Sequence, residues 1–305
     1  MKQLIVKIAL FVFIIFLVDK PIGFSISKGI INRQYDQRIE LLMKGKVRSD
    51  VVIIGSSRSL NGIDTGELEK NLNNQTAYNF GFSGSNLNFH ESIFNIITQV
   101  YQPKTILLVV DDDDAFKVNE KAIYRKDKLF PFIQYEPVLN EIVKNSSKSY
   151  LPSKVSWLYR ENQNMFEAIN WVFKGRLEPD ETTNVNEFGF IPLSNEDKHL
   201  NKLVDRNLSI DYSPQKEQKT FIESLIAIVN ESETMGIDLY LVRLPSYKAK
   251  LVGFNDRLVE IVGKNVPILD FSNELQDRKY HFDNGHLNAN GAKSVASLIS
   301  KKLNP

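Results

Sequence analysis

Three short stretches hold residue types that can do chemistry. In Val51–Asn61, VVIIGSSRSLN, an apolar β-branched run ends in Gly55, Ser56, Ser57 and Arg58. In His281–Lys293, HFDNGHLNANGAK, Asp283 and His286 stand three residues apart. Between these stretches lie four consecutive aspartates, Asp111 to Asp114. A serine hydroxyl is a weak nucleophile until a base within hydrogen-bond reach takes its proton. On a helical turn Asp283 and His286 would share a face, and the carboxylate could orient an imidazole able to take that proton. Each stretch also has a plainer reading. Gly-Ser-Ser makes a tight turn and a helix cap, and 281–288 makes a surface turn that caps the last helix. The aspartates offer the oxygen ligands that Mg²⁺ or Ca²⁺ would want. Four in a row on one loop cannot all converge on an ion, however, and no spaced partner motif accompanies them. Their plainer reading is a solvated acidic rim with one member paired to Arg58.

The elements that must position these residues follow a strand–helix rhythm. Buried strands are predicted at 51–54, 77–80, 105–110, 237–244 and 266–271, because each is a short apolar run bounded by turn residues. A helix is predicted within 59–74, with Asp64 or Thr65 near its cap, and others over 87–101, 217–234, 250–262 and 288–303. Pro103 ends the second of these and Gly236 caps the third. Alternation at this spacing means a parallel sheet with helices on both faces. The expected fold class is α/β, three layers with about five parallel strands. All strand carboxyl ends then face one side, where open α/β sheets bind ligands. That side would gather Ser57, Gly84, the aspartate run and the 281–288 loop.

The remaining segments bear on placement and partners. An apolar run, LIVKIALFVFIIFLV, occupies residues 4–18 with only Lys7 interrupting it. No small-residue cleavage site follows, so residues 1–24 are read as an uncleaved signal anchor or transmembrane helix. Lys2 and Lys7 would keep its amino end cytoplasmic, leaving the rest of the chain outside the membrane. Residues 25–48 are read as a stalk helix, 49–116 and 216–305 as the α/β domain, and 117–215 as an insertion or lid. Trp157 and Trp171 in that insertion could stack on sugar rings or fill its own small core. His90, His199 and His281 have no motif partners; His90 is either a pocket-lining residue or a core-edge histidine. A formal charge of +1 over 305 residues gives no basic surface for nucleic acid. The absence of cysteine excludes a disulfide scaffold, a thiolate metal site and a cysteine nucleophile.

Taken together, GSSRS after the first strand, NFGFSGSN after the second and FDNGHLN before the last helix resemble blocks one, two and five of the SGNH or GDSL-type hydrolases. The GSSR form is most similar to membrane-anchored relatives that modify the cell envelope. The resemblance implies the flavodoxin-like SGNH fold, a Ser57 nucleophile, a His286 base and an Asp283 carboxylate orienting it. It also implies oxyanion donors in the N–H groups of Ser57 and Gly84. Where the family carries a block-three asparagine this chain reads VVDDDDAF, and an ionised aspartate there has the wrong sign for an oxyanion. Either Arg58 pairs with Asp111 or Asp112, or Asn86 stands in as donor, or the site is weak. The implied activity is an extracytoplasmic serine esterase or O-acyltransferase, with acetyl the acyl group in view. It would need no cofactor and no metal. Its partners would be an acylated or acceptor glycan, a membrane through residues 4–24, and a membrane acyl-transferring protein. Two alternatives stand beside it: an inactive scaffold of a polysaccharide-acylating complex, and a metal-dependent phosphate-ester hydrolase at the aspartates.

Overall fold

The structure is a computed structural model that describes residues 1–31, 37–110, 115–166, 185–194, 203–204 and 208–304. The helices are α1 (Lys2–Ile31), α2 (Arg38–Met43), α3 (Ser57–Gly62), α4 (Thr65–Lys70), α5 (Leu87–Val100), α6 (Lys126–Leu129), α7 (Glu136–Lys144), α8 (Tyr150–Val155), α9 (Trp157–Arg160), α10 (Lys219–Met235), α11 (Phe254–Val262) and α12 (Ala289–Leu303). The strands are β1 (Val51–Gly55), β2 (Ala77–Gly81), β3 (Thr105–Val109), β4 (Leu208–Asp211), β5 (Asp238–Arg243), β6 (Ala249–Val252) and β7 (Ile268–Asp270). The chain divides into two compact units. One comprises Met1–Met43 with Lys126–Thr183, the other Lys44–Arg125 with Asn184–Pro305. Of the described residues, 117–125, 185–194, 203–204 and 208–215 therefore cluster with the sheet, and 126–166 with the amino-terminal helices.

The second unit is built on a five-stranded parallel sheet in the order β2-β1-β3-β5-β7, with β4 and β6 forming a separate parallel pair. Every residue of β1, β2 and β3 is buried, which is why these strands read as largely apolar runs, broken only by Asn79 in β2 and Thr105 at the start of β3. Side chains still alternate between the two faces. Val51, Ile53, Leu107, Val109 and Val242 join Leu68 of α4 and Val295, Ala296 and Ile299 of α12 in one core cluster. On the other face lie α5 and α10, whose Phe89, Ile93, Ile97, Leu225 and Ile228 are buried. Burying each such side chain contributes about 1.5–3 kcal/mol, which makes the two helical layers the main support of the sheet. In this strand order the connections diverge between β1 and β3, and the crevice beyond their carboxyl ends is where such sheets take ligands.

The helix expected within 59–74 is α4, which begins at the expected cap, and a separate short helix, α3, precedes it from Ser57. Ile63 leaves the helical conformation, and Asp64 caps α4 by accepting the Glu67 N–H at 3.0 Å.

The first unit centres on α1, whose two halves differ. Asp19, Gly23, Ser27 and Ile30 repeat at helical spacing, and all four are buried. Asp19 caps α9 across the fold: its carboxylate accepts the Ser156 hydroxyl at 2.6 Å and the N–H groups of Trp157 and Leu158 at 2.8 and 3.0 Å. A Cβ at Gly23 would fall 2.5 Å from that of Trp157, so α1 and α9 meet at backbone distance. Trp157, considered above for sugar stacking, instead packs on α1 beneath the Lys20 ammonium, 5.1 Å from its ring. Trp171 and His199 lie outside the described residues.

Amino-terminal to Asp19, residues Leu10 to Val18 are 46–65 % exposed. The expected transmembrane helix is not supported: among the described residues no helix is long and apolar enough to cross a membrane. The physical reason is the length of the uncharged core. Ile8 to Val18 rises only about 16 Å, against about 30 Å of hydrocarbon, and is flanked by Lys7 and by Asp19, Lys20 and Pro21.

Candidate active site

Ser57 sits where β1 gives way to α3. Ser56 is the helix cap, its hydroxyl accepting the Arg58 N–H at 3.2 Å, so Ser57 becomes the first helical residue and is half-exposed. The plainer reading of Gly-Ser-Ser and the reactive one thus fall on adjacent residues. Ser57 Oγ lies 2.9 Å from His286 Nε2, across 229 residues of sequence. His286 Nδ1 lies 2.9 and 3.0 Å from the two Asp283 carboxylate oxygens. A carboxylate only accepts, so Nδ1 carries the ring proton and Nε2 faces the serine hydroxyl as an acceptor.

Asp283 and His286 meet differently from the helical pairing expected. Residues 282–286 form a bend that precedes α12. Asp283 Oδ1 accepts the N–H groups of Gly285 and His286, both at 2.8 Å, as short acidic side chains do in turns. The Phe282 N–H closes the bend on the His286 carbonyl at 2.9 Å. The plainer reading of this stretch also has its residue, since Asn288 caps α12 by accepting the Gly291 N–H.

Burial alone would raise the Asp283 carboxyl. Hydrogen bonds from the His286 ring and from the Gly285 and His286 N–H groups outweigh it and hold the group below the usual carboxylate range. A depressed carboxyl adds stability that is complete above its unfolded pKa, about 3.9, and is lost as the pH falls through its folded value. The urea midpoint of the parent should therefore exceed that of Asp283→Asn above about pH 4, with the gap closing in more acid solution. A gap that persists unchanged into strong acid would show that the carboxylate charge is not what holds the bend.

The donors expected around an oxyanion can now be placed. Neither the Ser57 nor the Gly84 N–H donates to another described residue. Gly84 has φ +67°, a left-handed conformation that disfavours side chains, and a Cβ there would meet the Lys121 carbonyl at 3.0 Å. Its turn is pinned by the Ile123 N–H on the Gly84 carbonyl and by Arg125 on the Ser83 carbonyl. The Asn86 side-chain oxygen is taken up as the cap of α5, accepting the Phe89 N–H at 3.2 Å. The Arg58 guanidinium donates to the Leu244 and Pro245 carbonyls at 2.7 and 3.0 Å, tying α3 to the end of β5. Asp111 and Asp112 lie outside the described residues, as do Asp113 and Asp114. Among the described residues no group of three or more acidic or histidine side chains could hold a metal ion.

His90 is wholly buried rather than pocket-lining. Its Nε2 lies 2.9 Å from Ser85 Oγ, and burial lowers its pKa to about 3, which keeps it neutral. His281 is buried too, its Nε2 donating to the Leu275 carbonyl at 2.8 Å, and burial pulls its pKa down.

Two supports were invisible to motif reading. Asn79, fully buried on β2, donates to the Ser59 carbonyl and accepts the Gly81 N–H, both at 2.8 Å, so it joins the Ser57 helix to the block-two turn. Residues 186–193, assigned by composition to the insertion, cross both halves of the site. Ile191 exchanges bonds with Leu60 and Asn61 of α3, and the Leu193 carbonyl accepts the Ala289 N–H at the start of α12. The asparagine of NFG was the one available signal for the first support; nothing in composition marked the second.

No family model matches the sequence, and no curated protein matches it either. Among solved structures, the chain is similar to a "putative acylhydrolase" from Bacteroides fragilis NCTC 9343. The TM-score is 0.39 at 12% identity, covering 83% of this chain and 86% of that one. It is also similar to a "putative lipolytic protein of G-D-S-L family" from Desulfitobacterium hafniense DCB-2. There the TM-score is 0.38 at 14% identity, covering 82% of this chain and 97% of that one. At these scores and identities the likeness carries no argument about chemistry, which must rest on the geometry of the site.

Proposed function

We propose that the protein is a serine-dependent acyl esterase or O-acyltransferase working through Ser57, His286 and Asp283. The observation that carries this reading is the unbroken line from Asp283 through the His286 ring to Ser57 Oγ, with contacts of 2.9 Å on each side of the imidazole. In the reaction, Ser57 Oγ attacks the acyl carbonyl carbon while His286 Nε2 takes the hydroxyl proton. Asp283 stays ionised and stabilises the imidazolium. The carbonyl oxygen, now an oxyanion, is received by the N–H groups of Ser57 and Gly84, each such donor being worth about 3 kcal/mol in the transition state. Collapse breaks the bond to the leaving alcohol, which takes the proton from His286, and leaves acyl-Ser57. Water or an acceptor hydroxyl then attacks the acyl carbon as His286 takes its proton; the bond to Ser57 Oγ breaks, His286 returns the proton to the serine, and the acid or acylated acceptor leaves.

The acyl donor and acceptor follow from the resemblance of GSSRS, NFGFSGSN and FDNGHLN to envelope-modifying hydrolases: an acetyl-sized acyl group and a glycan hydroxyl outside the cytoplasm. The exposed apolar half of α1 supports a companion proposal, that this helix fastens the chain to a lipid bilayer. A fluorophosphonate probe should label the purified full chain and fail to label Ser57→Ala. Labelling that survives in Ser57→Ala would move the nucleophile elsewhere. A parent that takes no label would leave a scaffold without turnover as the reading.

A further inference from the structure

We infer that α8 is a second membrane-contacting element, pressing Leu151 and Val155 into the same bilayer surface that receives the amino-terminal half of α1. The inference rests on the companion proposal that α1 fastens the chain to lipid. A helix at a water-facing surface turns apolar residues inward and polar ones outward. α8 departs from this, since its one buried residue is polar and its apolar residues stand exposed beside Pro152 and Lys154. Ser153 is buried, while Leu151 and Val155, each about 200° away around the helix, are 73 % and 62 % exposed. Leu151 and Val155 are one turn apart and share that outward face.

This helix stands at the boundary of the apolar run. The Lys20 ammonium donates to the Val155 carbonyl, and Ser156, which ends α8, donates to Asp19. Asp19 and Lys20 are the first charged residues after Ile8–Val18. The outward face of α8 is thus continuous with the point where α1 turns from apolar to polar. Around that point Lys20 lies over the Phe16 and Trp157 rings at 5.4 and 5.1 Å, and Lys154 over the Tyr150 ring at 5.0 Å. Aromatic rings and lysines at such a level suit the headgroup region, where an apolar body and a polar tip are both satisfied.

The occupant follows from the shape of the exposed surface. From Leu10 to Val18 every residue is apolar and exposed, so no polar stripe sets a direction. A protein groove covers one face of a helix, whereas hydrocarbon wets all of them. Lipid is the apolar phase that can cover α1 on every side and α8 on one.

The absence of cysteine allows single-cysteine labelling of the full chain. An environment-sensitive fluorophore is placed at Phe13→Cys, at Leu151→Cys, and at Lys219→Cys, whose side chain is 89% exposed on the other unit. The proteins are mixed with phosphatidylethanolamine–phosphatidylglycerol vesicles, with and without nitroxide-labelled lipid. Expected are a blue-shifted emission at positions 13 and 151, its loss when the nitroxide lipid is present, and no change at 219. Lipid contact at 13 with an aqueous signal at 151 would overturn the α8 inference while leaving α1 in the membrane. A shielded signal at 151 that nitroxide lipid does not quench would show a protein surface, or a second copy, covering α8, and would overturn it too. Aqueous signals at both positions would remove the membrane reading of α1 and this inference together.

Discussion

His286→Ala is expected to lower esterase kcat/KM by about 10⁴-fold or more, and Ser57→Ala combined with it should cost little beyond either change alone. The reason is geometric. Ser57 Oγ has its proton acceptor 2.9 Å away at His286 Nε2. Without that ring the hydroxyl must ionise into water, far above neutral pH, before it can attack. Because the two side chains act in one proton transfer, removing the second member of the pair takes away an interaction already lost. Hydrolysis of p-nitrophenyl acetate by the single and double variants measures this directly. Losses in the two single variants that multiply in the double would mean that the residues act separately, and the proton-transfer line would have to be abandoned. His286→Ala activity within about tenfold of the parent would have the same consequence.

Gly81→Ala should destabilise the α/β unit by about 3 kcal/mol and lower activity with it. At the end of β2 the backbone passes so close to the Ser57 helix that a Cβ would lie 2.1 Å from Ser59 Oγ, 2.7 Å from the Leu60 nitrogen and 2.9 Å from Asn79 Oδ1. The serine oxygen could rotate only by giving up its bond to the Ser56 carbonyl at 2.7 Å. The Leu60 nitrogen belongs to the α3 backbone and can retreat only if the helix carrying Ser57 moves. The strain therefore falls on the helix that carries Ser57. Far-UV circular dichroism in urea gives the midpoint shift. Gly29→Ala is the matched control: it lies in α1 with nothing within 4 Å of the new Cβ, and should not lower the midpoint. A Gly81→Ala midpoint equal to the parent's would show that α3 tolerates displacement and that the close approach is not what places Ser57.

Local sequence was sufficient for the sheet. Val51–Ile54, Ala77–Phe80 and Thr105–Val109 are buried on both faces, and a strand in that position is mostly apolar, with Asn79 and Thr105 the exceptions here, so composition marks it. The glycine and serine turns after β1 and β2 were legible for a similar reason, because few residue types can make them. Ser57, Asp283 and His286 were legible as types at motif positions. That their loops share one edge of the sheet followed from strand direction; the 2.9 Å contact itself did not, since a distance across 229 residues depends on how the strands and helices between carry the two loops.

The helix expected within 59–74 starts at its expected cap, because Asp64 accepts the Glu67 N–H; the short helix before it, Ser57–Gly62, has no apolar periodicity of its own to announce it. Sequence by itself determined which segments must be buried and which residue types stand at their ends, because burial and backbone conformation restrict amino-acid choice locally. Only the tertiary structure decided what each polar side chain bonds to. Asn79 braces the helix that carries Ser57, 186–193 ties that helix to α12, and Asp19 caps α9. A donor or acceptor can be satisfied by any suitable group within about 3 Å, and the sequence places no mark on which group that will be.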